Sequence, residues 1–181
     1  MKLRILEYDT VSSTNDVAVS LAKRGTREGL VVRSDYQTRG RGRGAHRWYA
    51  PRGTSLLMTI LLRPKAAPAK LSDLTLLAAK AVADSLRKYM NSISLKLPND
   101  ILVSGKKIGG VLVEGGTRGN KQDWVCIGIG VNVRTRPKNV YKRGTSILIE
   151  TGRKIAIREA LYDILYKFIE NYGNKHNKII V

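Results

Sequence analysis

The chain has 181 residues, of which 43% are hydrophobic and five are prolines, and no apolar run approaches the ~18 residues that a membrane-spanning helix needs. This composition is typical of a single globular domain and excludes collagen-like proteins. One cysteine, Cys126, cannot form an internal disulfide, and the N-terminal apolar stretch is too short for a secretory signal, so we expect a cytoplasmic location. The net charge of +19 predicts an acidic or polyanionic partner, unless the basic surface serves only solubility.

Strand-like and helix-like segments alternate along the chain with no linker and no internal repeat, which predicts one α/β domain over residues 1–181. Ser13, with Asp16 three residues later, predicts a capped start for the first helix, and Gly25 predicts its end. In chain order we expect strands at 2–8, 30–36 and 55–62 and a helix at 72–90. Turns at 99–100 and 104–105 should enclose a short strand, followed by strands at 107–114 and 124–133 and a helix at 154–172.

The segment Gln37–Trp48 carries four arginines and three glycines in twelve positions. Glycine permits close backbone approach to a ligand, and the arginine fork matches phosphate or carboxylate, so this segment predicts an anion-binding loop that stays mobile until its ligand arrives. The alternative is a tract that binds single-stranded nucleic acid through charge. Trp48 and the strand that follows favour a loop tethered within the domain.

Two predicted strands carry glycines where side chains normally pack. Gly109 and Gly110 follow the Lys106-Lys107 pair, and this pattern indicates either a ligand against the sheet or a bulge beside solvated lysines. In 124–133 one face is aliphatic and the other is bare at Gly128 and Gly130. That bare face predicts room for a planar group of a ligand, with Asn132 as the polar residue that contacts it. The alternative is a close helix-on-sheet contact.

In this order and spacing, the motifs of the chain resemble the catalytic domain of biotin protein ligases. These enzymes adenylate biotin and attach it to a lysine of a carboxylase carrier domain. The resemblance covers nearly the whole chain and rests on Ser12-Ser13-Thr14-Asn15, Gln37, Gly40-Arg41-Gly42-Arg43, Trp48, Pro51, Pro98-Asn99-Asp100, Lys107-Ile108-Gly109-Gly110, Gly128-Ile129-Gly130-Val131-Asn132 and Gly144-Thr145-Ser146-Ile147.

The resemblance implies an α/β fold of the α+β type. Its mixed, largely antiparallel sheet is covered by helices, as in the class II aminoacyl-tRNA synthetase-like catalytic domain of biotin and lipoate ligases. We expect no helix-turn-helix ahead of the first strand, hence no sequence-specific DNA binding. The small C-terminal β-barrel of many relatives is also expected to be absent.

The resemblance also implies roles for individual residues. Lys107, Arg41 and Arg43 match catalytic positions, and Asp100 matches a position near magnesium. The biotin-binding positions are Ser13, Thr14, Asn15, Gln37, Gly40, Arg41, Arg43, Lys107 and Gly110. The ATP-binding positions are Arg43, Arg47, Trp48, Asn99, Lys107 and Asn132. Two departures from the family pattern are Gly44-Ala45-His46, where Arg-Gly-Arg is frequent, and Leu97, where a tryptophan is usual.

The implied reaction uses biotin and the ATP·Mg²⁺ complex as substrates, with no permanently bound cofactor. The implied protein partner is the biotin carboxyl carrier domain of an acyl-CoA carboxylase, and the oligomeric state stays open, with a homodimer as one option. A lipoate ligase would share the fold, but the Arg-Arg and triple-glycine stretch of that family is missing. A basic nucleic-acid-binding protein would explain the charge, yet it leaves the strand glycines and Lys107 unexplained.

Overall fold

The computed structural model describes residues 1–64, 70–119, 121–136 and 144–177. The first half of the chain forms β1 (Arg4–Val11), α1 (Thr14–Lys23), β2 (Leu30–Gln37), β3 (Ser55–Leu62) and α2 (Leu71–Leu86). The second half forms β4 (Ile93–Lys96), β5 (Asp100–Val103), β6 (Lys106–Arg118), β7 (Lys121–Asn132), α3 (Ile147–Thr151) and α4 (Ile157–Asn177). None of the helices in these described ranges has the length and apolar stretch that a membrane span requires.

The seven strands form one sheet in the order β1-β2-β3-β7-β6-β5-β4. Only the β1–β2 pair is parallel, and the neighbours from β2 to β4 run antiparallel. The expectation of a mixed, largely antiparallel sheet covered by helices is therefore confirmed. Because β3 and β7 are the long central neighbours, residues far apart in sequence meet on the middle of the sheet.

Helices cover both faces of this sheet. All eight residues of β3 are buried, as expected for a central strand with apolar side chains on both faces. On one face, the aliphatic residues of β7 pack with α2 and α4 in the main core. On the other face, α1 contributes Ala18 and Ala22 to a smaller cluster with Trp124 and Cys126. The sheet thus separates two apolar layers.

The structure confirms most of the predicted elements and corrects some details. Ser13 stands at the N-cap of α1 but makes no side-chain cap bond, so the predicted capping arrangement is wrong. The Ser12 hydroxyl contacts Asp16 instead, at 3.2 Å. Helix α2 ends at Leu86 rather than near residue 90, and the sequence analysis did not predict the short elements β4 and α3. Elements of four or five residues give too little periodicity to be recognised.

The glycine face of β7 is filled by side chains of the same chain. A Cβ atom at Gly128 would lie 2.1 Å from Oδ1 of Asn15, which belongs to α1. A Cβ at Gly130 would lie 2.7 Å from the indole of Trp48. The close helix contact therefore applies at Gly128, and at Gly130 the planar group is an aromatic side chain of the protein.

We predict that Gly128→Ala destabilises the protein by about 1–3 kcal/mol, because overpacking forces a buried neighbour to move. The neighbour here is Asn15, which is 3% exposed. The thermal unfolding midpoint measures the effect. Gly173→Ala in α4 is the control, since the added methyl group meets no atom within 4 Å beyond its own helix backbone and alanine has the higher helix propensity, so the midpoint should not fall. An unchanged midpoint for Gly128→Ala would contradict the close contact.

Candidate active site

A cavity of about 580 Å³ opens on the α1 side of the sheet, where the N-terminus of α1, the arginine-rich segment, the turn before β5 and the glycines of β6 and β7 meet. Every residue predicted for the site lines this cavity except Gly40 and Asn132. The predicted residues that line it are Ser13, Thr14, Asn15, Gln37, Arg41, Arg43, Arg47, Trp48, Asn99, Asp100, Lys107 and Gly110.

One wall of the cavity is a network of buried polar side chains. Gln37 Oε1 accepts hydrogen bonds from the Thr14 backbone N–H (2.7 Å) and hydroxyl (3.1 Å). The Thr59 hydroxyl lies 2.9 Å from Thr14 Oγ1 and 2.6 Å from Asn15 Oδ1. Ser13, Thr14 and Asn15 are each at most 4% exposed. Since hydrogen-bond partners fix Thr14, Asn15 and Gln37 in place, these residues present a preorganised set of donors and acceptors to a polar ligand.

The arginine-rich segment folds into a small hairpin, here called the 40–48 hairpin. Arg41 and Arg47 form an antiparallel bridge, and the Gly42 N–H donates to the His46 carbonyl at 2.8 Å. At the hairpin's base the Trp48 N–H donates to the Gly40 carbonyl at 3.0 Å. A Cβ at Gly40 would lie 2.3 Å from the Trp48 carbonyl oxygen, which explains the glycine there. Gly40 therefore shapes the hairpin from outside the cavity.

The arginines of the hairpin differ in their partners. The Arg41 guanidinium binds both carboxylate oxygens of Glu114, at 2.9 and 2.5 Å, and also Asp16 at 3.0 Å. Arg43 and Arg47 are exposed at the cavity, and among the described residues no carboxylate pairs with either of them. The cavity therefore carries positive charge that the protein leaves available to an anion.

Lys107 is the cation on the opposite wall. Its Nζ atom lies 2.6 Å from Asp100 Oδ1 and 5.8 Å from the centre of the Trp48 ring. A Cβ at Gly110 would lie 3.4 Å from Cε of Lys107, so the bare backbone of β6 gives the lysine stem its path across the strand. The ammonium group is thus held at the cavity wall by a carboxylate on β5.

Asn132 lies outside the cavity and serves the fold that supports Lys107. Its side chain accepts a hydrogen bond from the Ser55 hydroxyl (3.2 Å) and donates to the Thr145 carbonyl (2.9 Å). The Thr145 N–H in turn donates to the Lys107 carbonyl at 2.8 Å, next to a bridge between Lys107 and Gly144. Asn132 is therefore connected to the site indirectly, through Thr145 and the backbone of Lys107.

Asn99 lies in the turn between β4 and β5, and Asp100 is the first residue of β5. The Asn99 side chain donates to the Val111 carbonyl at 3.1 Å, and its own carbonyl accepts from the Val111 N–H. These bonds fix the turn against β6. Next to it, Leu97 lines the cavity with 70% of its surface exposed, so the position where the family usually has a tryptophan is an open apolar edge.

The described residues contain neither a cluster of metal ligands nor an activated thiol. No group of three or more His, Cys, Asp or Glu side chains is placed there to hold a metal ion. Cys126 is buried on β7, and burial, together with the Glu114 carboxylate, raises the pKa of its thiol to about 12 against the opposing effect of Arg63. The thiol therefore stays protonated at neutral pH and is a poor nucleophile.

Sequence reasoning missed three residues that complete the site. Thr59 is fully buried beneath Thr14 and Asn15, and a lone threonine within the apolar run of β3 was the available signal. Glu114 and Asp16 form ion pairs with Arg41. They lie 73 and 25 positions away from it, so no local sequence pattern predicts these pairs.

Comparison with known proteins agrees with this geometry. Residues 8–132 match the biotin/lipoate A/B protein ligase family. The bifunctional ligase/repressor BirA of Bacillus subtilis is 35% identical over 177 residues, and the biotin–[acetyl-CoA-carboxylase] ligase of Mycobacterium tuberculosis is 31% identical over 151 residues. These alignments cover 95% and 78% of this chain, respectively. The biotin protein ligase of Aquifex aeolicus in complex with biotin and ATP superimposes with a TM-score of 0.80 at 30% identity.

The lengths covered on the relatives are smaller. The chain spans 54% of the Bacillus protein and 55% of the Mycobacterium protein, so about half of each of these relatives is matched. The Aquifex superposition covers 93% of this chain and 69% of that structure. The family match at residues 8–132 contains every residue that lines the cavity. The chain belongs to the biotin/lipoate A/B protein ligase family.

Proposed function

We propose that the protein is an ATP-dependent ligase that activates biotin as biotinyl-5'-adenylate and transfers it to a specific lysine of a biotin carboxyl carrier domain. The observation that carries this proposal is the cavity in which a buried polar network faces Lys107 and two arginines. Among the described residues, no carboxylate pairs with either of these arginines, Arg43 and Arg47. Such a cavity suits a substrate with a neutral polar ring at one end and a carboxylate at the other. The Mycobacterium relative is named a biotin–[acetyl-CoA-carboxylase] ligase and the Aquifex structure is a biotin protein ligase in complex with biotin and ATP, which supports the same substrate.

The polar network fits the ureido ring of biotin. That ring has one carbonyl acceptor and two N–H donors, so its partner must offer both kinds of group. Ser13, Thr14 and Gln37 supply hydroxyl and amide groups that are buried or partly buried at the cavity wall. We assign Asn15 and Gly110 to the same pocket, with Asn15 holding its shape from beneath.

The cations fit the reacting groups. The carboxylate oxygen of biotin attacks the α-phosphorus of ATP, the bond to the bridging oxygen breaks, and pyrophosphate leaves. Lys107 neutralises charge on the carboxylate and the phosphate, while Arg43 and Arg47 receive the polyphosphate. Trp48 and Asn99 form the nucleotide end of the cavity. Asn132, which lies outside the cavity, supports Lys107 from behind.

The second step transfers the biotinyl group. The acceptor lysine amine attacks the carbonyl carbon of the mixed anhydride, AMP leaves with the former carboxylate oxygen, and the amide forms as the amine loses its proton. Because both steps involve attack on an already reactive centre, the residues of the cavity act mainly by holding the groups in line and neutralising charge.

Magnesium enters this proposal with ATP, as part of the substrate complex. Mg²⁺ usually keeps several waters and takes one or two protein carboxylates besides the phosphates, so one carboxylate at the cavity wall is sufficient. Asp100 is that carboxylate, and it is 2.6 Å from Lys107, which fits a position beside the phosphates. We propose a cytoplasmic location and no permanently bound cofactor for the same protein.

The direct test is to incubate the protein with ATP, Mg²⁺ and biotin and to look for biotinyl-5'-adenylate by mass spectrometry. The lipoate alternative, which the family description also covers, is tested by adding biotin and lipoate together. We expect biotinyl-adenylate to dominate. Lipoyl-adenylate as the main product would assign the protein to the other substrate. The absence of both adenylates would refute the proposed activity.

We predict that Lys107→Ala lowers the rate of adenylate formation more than about tenfold, which corresponds to ~1.4 kcal/mol of barrier, while the fold stays intact. The lost ammonium group is the one held at the cavity by Asp100. Lys106→Ala is the matched control, because Lys106 is the neighbouring residue and its side chain points to Glu150 at 3.6 Å. A Lys107→Ala protein with near-normal turnover would contradict the assignment.

The net charge of +19 generates a further prediction about the carrier domain, the protein partner in this proposal. If the carrier surface is acidic, attraction at long range speeds the encounter. Transfer from preformed adenylate to the carrier should then slow steeply as salt rises to physiological concentration, where the Debye length falls to about 8 Å.

A small amine acceptor provides the control for that experiment. A free lysine analogue is cationic and gains nothing from a positive protein surface, so we expect its rate of transfer not to fall with salt. A flat salt response for the carrier itself would mean that the basic surface does not steer this partner.

A further inference from the structure

The Arg41 guanidinium is bound by two carboxylates that come from different layers of the fold. Glu114 on β6 binds it in a fork, at 2.9 and 2.5 Å, and Asp16 of α1 binds the same Nη2 atom at 3.0 Å. One guanidinium with two carboxylates makes a cluster of net negative charge. The charge of Arg41 is therefore less available to a phosphate or carboxylate of a substrate than the charges of Arg43 and Arg47.

The carboxylate that receives Arg41 is itself held from beneath. Asn15 donates from Nδ2 to Glu114 Oε2 at 2.7 Å. Asn15 is 3% exposed and is fixed by Thr59 at 2.6 Å and by its close contact with Gly128. A continuous series of contacts therefore runs from the buried polar wall of the cavity to the 40–48 hairpin. Because Asn15 restrains the Glu114 carboxylate, less side-chain freedom is lost when Arg41 pairs with it.

Arg41 also lies where a side-chain anchor controls the hairpin best. The chain enters the hairpin through backbone bonds from the Thr38 and Arg39 N–H groups to Val11 and Ser12. Beyond that point Arg41 pairs with Arg47 in the hairpin's own bridge. Holding Arg41 thus fixes the strand that carries Arg47 and the turn that carries Arg43.

We propose that Arg41, which the family resemblance assigns to the substrate, is instead the anchor that keeps the 40–48 hairpin closed over the cavity. Glu114 and Asp16 are positioning residues that act through it, and they restrain a segment whose glycines and arginines alone predict mobility without ligand. Arg43 and Arg47 remain the arginines that meet the substrate anion. In the ligase, closure retains the reactive adenylate until the acceptor arrives, and this part rests on the proposed function. The anchor itself is a property of the folded chain and is testable without any substrate.

The first experiment therefore uses the full chain alone. Limited digestion with trypsin should cut after Arg43 and Arg47 about fivefold faster in Glu114→Gln than in the wild type, the scale expected for losing a partly exposed, multidentate ion pair. Asp16→Asn should act in the same direction. The control is Glu7→Gln on β1, which removes a carboxylate that contacts Arg33 and Arg158 far from the hairpin. Thermal midpoints show whether each variant is folded.

The second experiment measures the release of preformed biotinyl-5'-adenylate from wild type, Arg41→Gln, Glu114→Gln and the double variant. An anchor pair predicts that each single variant releases the adenylate several-fold faster and that the double variant is no faster than either single one. Synthesis of the adenylate at saturating substrate should change much less than its release.

Three outcomes would overturn the proposal. Unchanged tryptic cleavage in both Glu114→Gln and Asp16→Asn would show that these carboxylates hold nothing closed. Additive effects in the double variant would show that Arg41 and Glu114 act independently and not as a pair. A loss of adenylate synthesis in Arg41→Gln that Glu114→Gln does not share would make Arg41 a substrate-binding residue. If the wild type makes no adenylate, the proposed function fails, while the digestion still decides whether Arg41 is the anchor.

Discussion

The absence of side chains at Gly128 and Gly130 is the constraint on which the site depends. Two adjacent bare positions on one face of β7 let the N-terminus of α1 and the indole of Trp48 lie directly on the sheet. Asn15 at the first contact carries the polar wall, and Trp48 at the second ends the 40–48 hairpin. A methyl group at either position would displace the wall or the hairpin. The positions of the functional side chains in the cavity therefore depend on two residues that have no side chain of their own.

Charge is distributed unevenly around this framework. The chain carries 14 acidic residues against 33 basic ones, yet two of the acidic residues, Asp16 and Glu114, meet at the hairpin. Four arginines in a short segment repel one another, and neutralising one of them lowers that repulsion where the chain must fold back on itself. The remaining arginines keep their charge for a ligand. A strongly basic site thus needs acidic residues to be ordered.

The sequence predicted the long elements and most of the cavity because those depend on local pattern. Strand β3 has the expected bounds, and the alternation in β7 predicted which face is buried. What could not be predicted depends on contacts between distant segments. Asn132 carries a polar side chain on the glycine face of β7 and was expected to read a ligand, but it points to Thr145 beside the Lys107 backbone. The partnership of Arg41 with Glu114 likewise arises only when β6 passes the end of α1.

The two sources of positive charge in the cavity are held in different ways. Lys107 belongs to the sheet, and both its ammonium group and its carbonyl are fixed, the first by Asp100 and the second by Thr145. Arg43 and Arg47 belong to a hairpin that lies across the cavity and is attached to the rest of the fold through its base and through Arg41. A fixed charge stabilises a transition state without the cost of reorganisation. A charge on a hairpin takes its position from the attachments of that hairpin, so the fold holds one cation of the cavity on the sheet and the others through the base of the hairpin and Arg41.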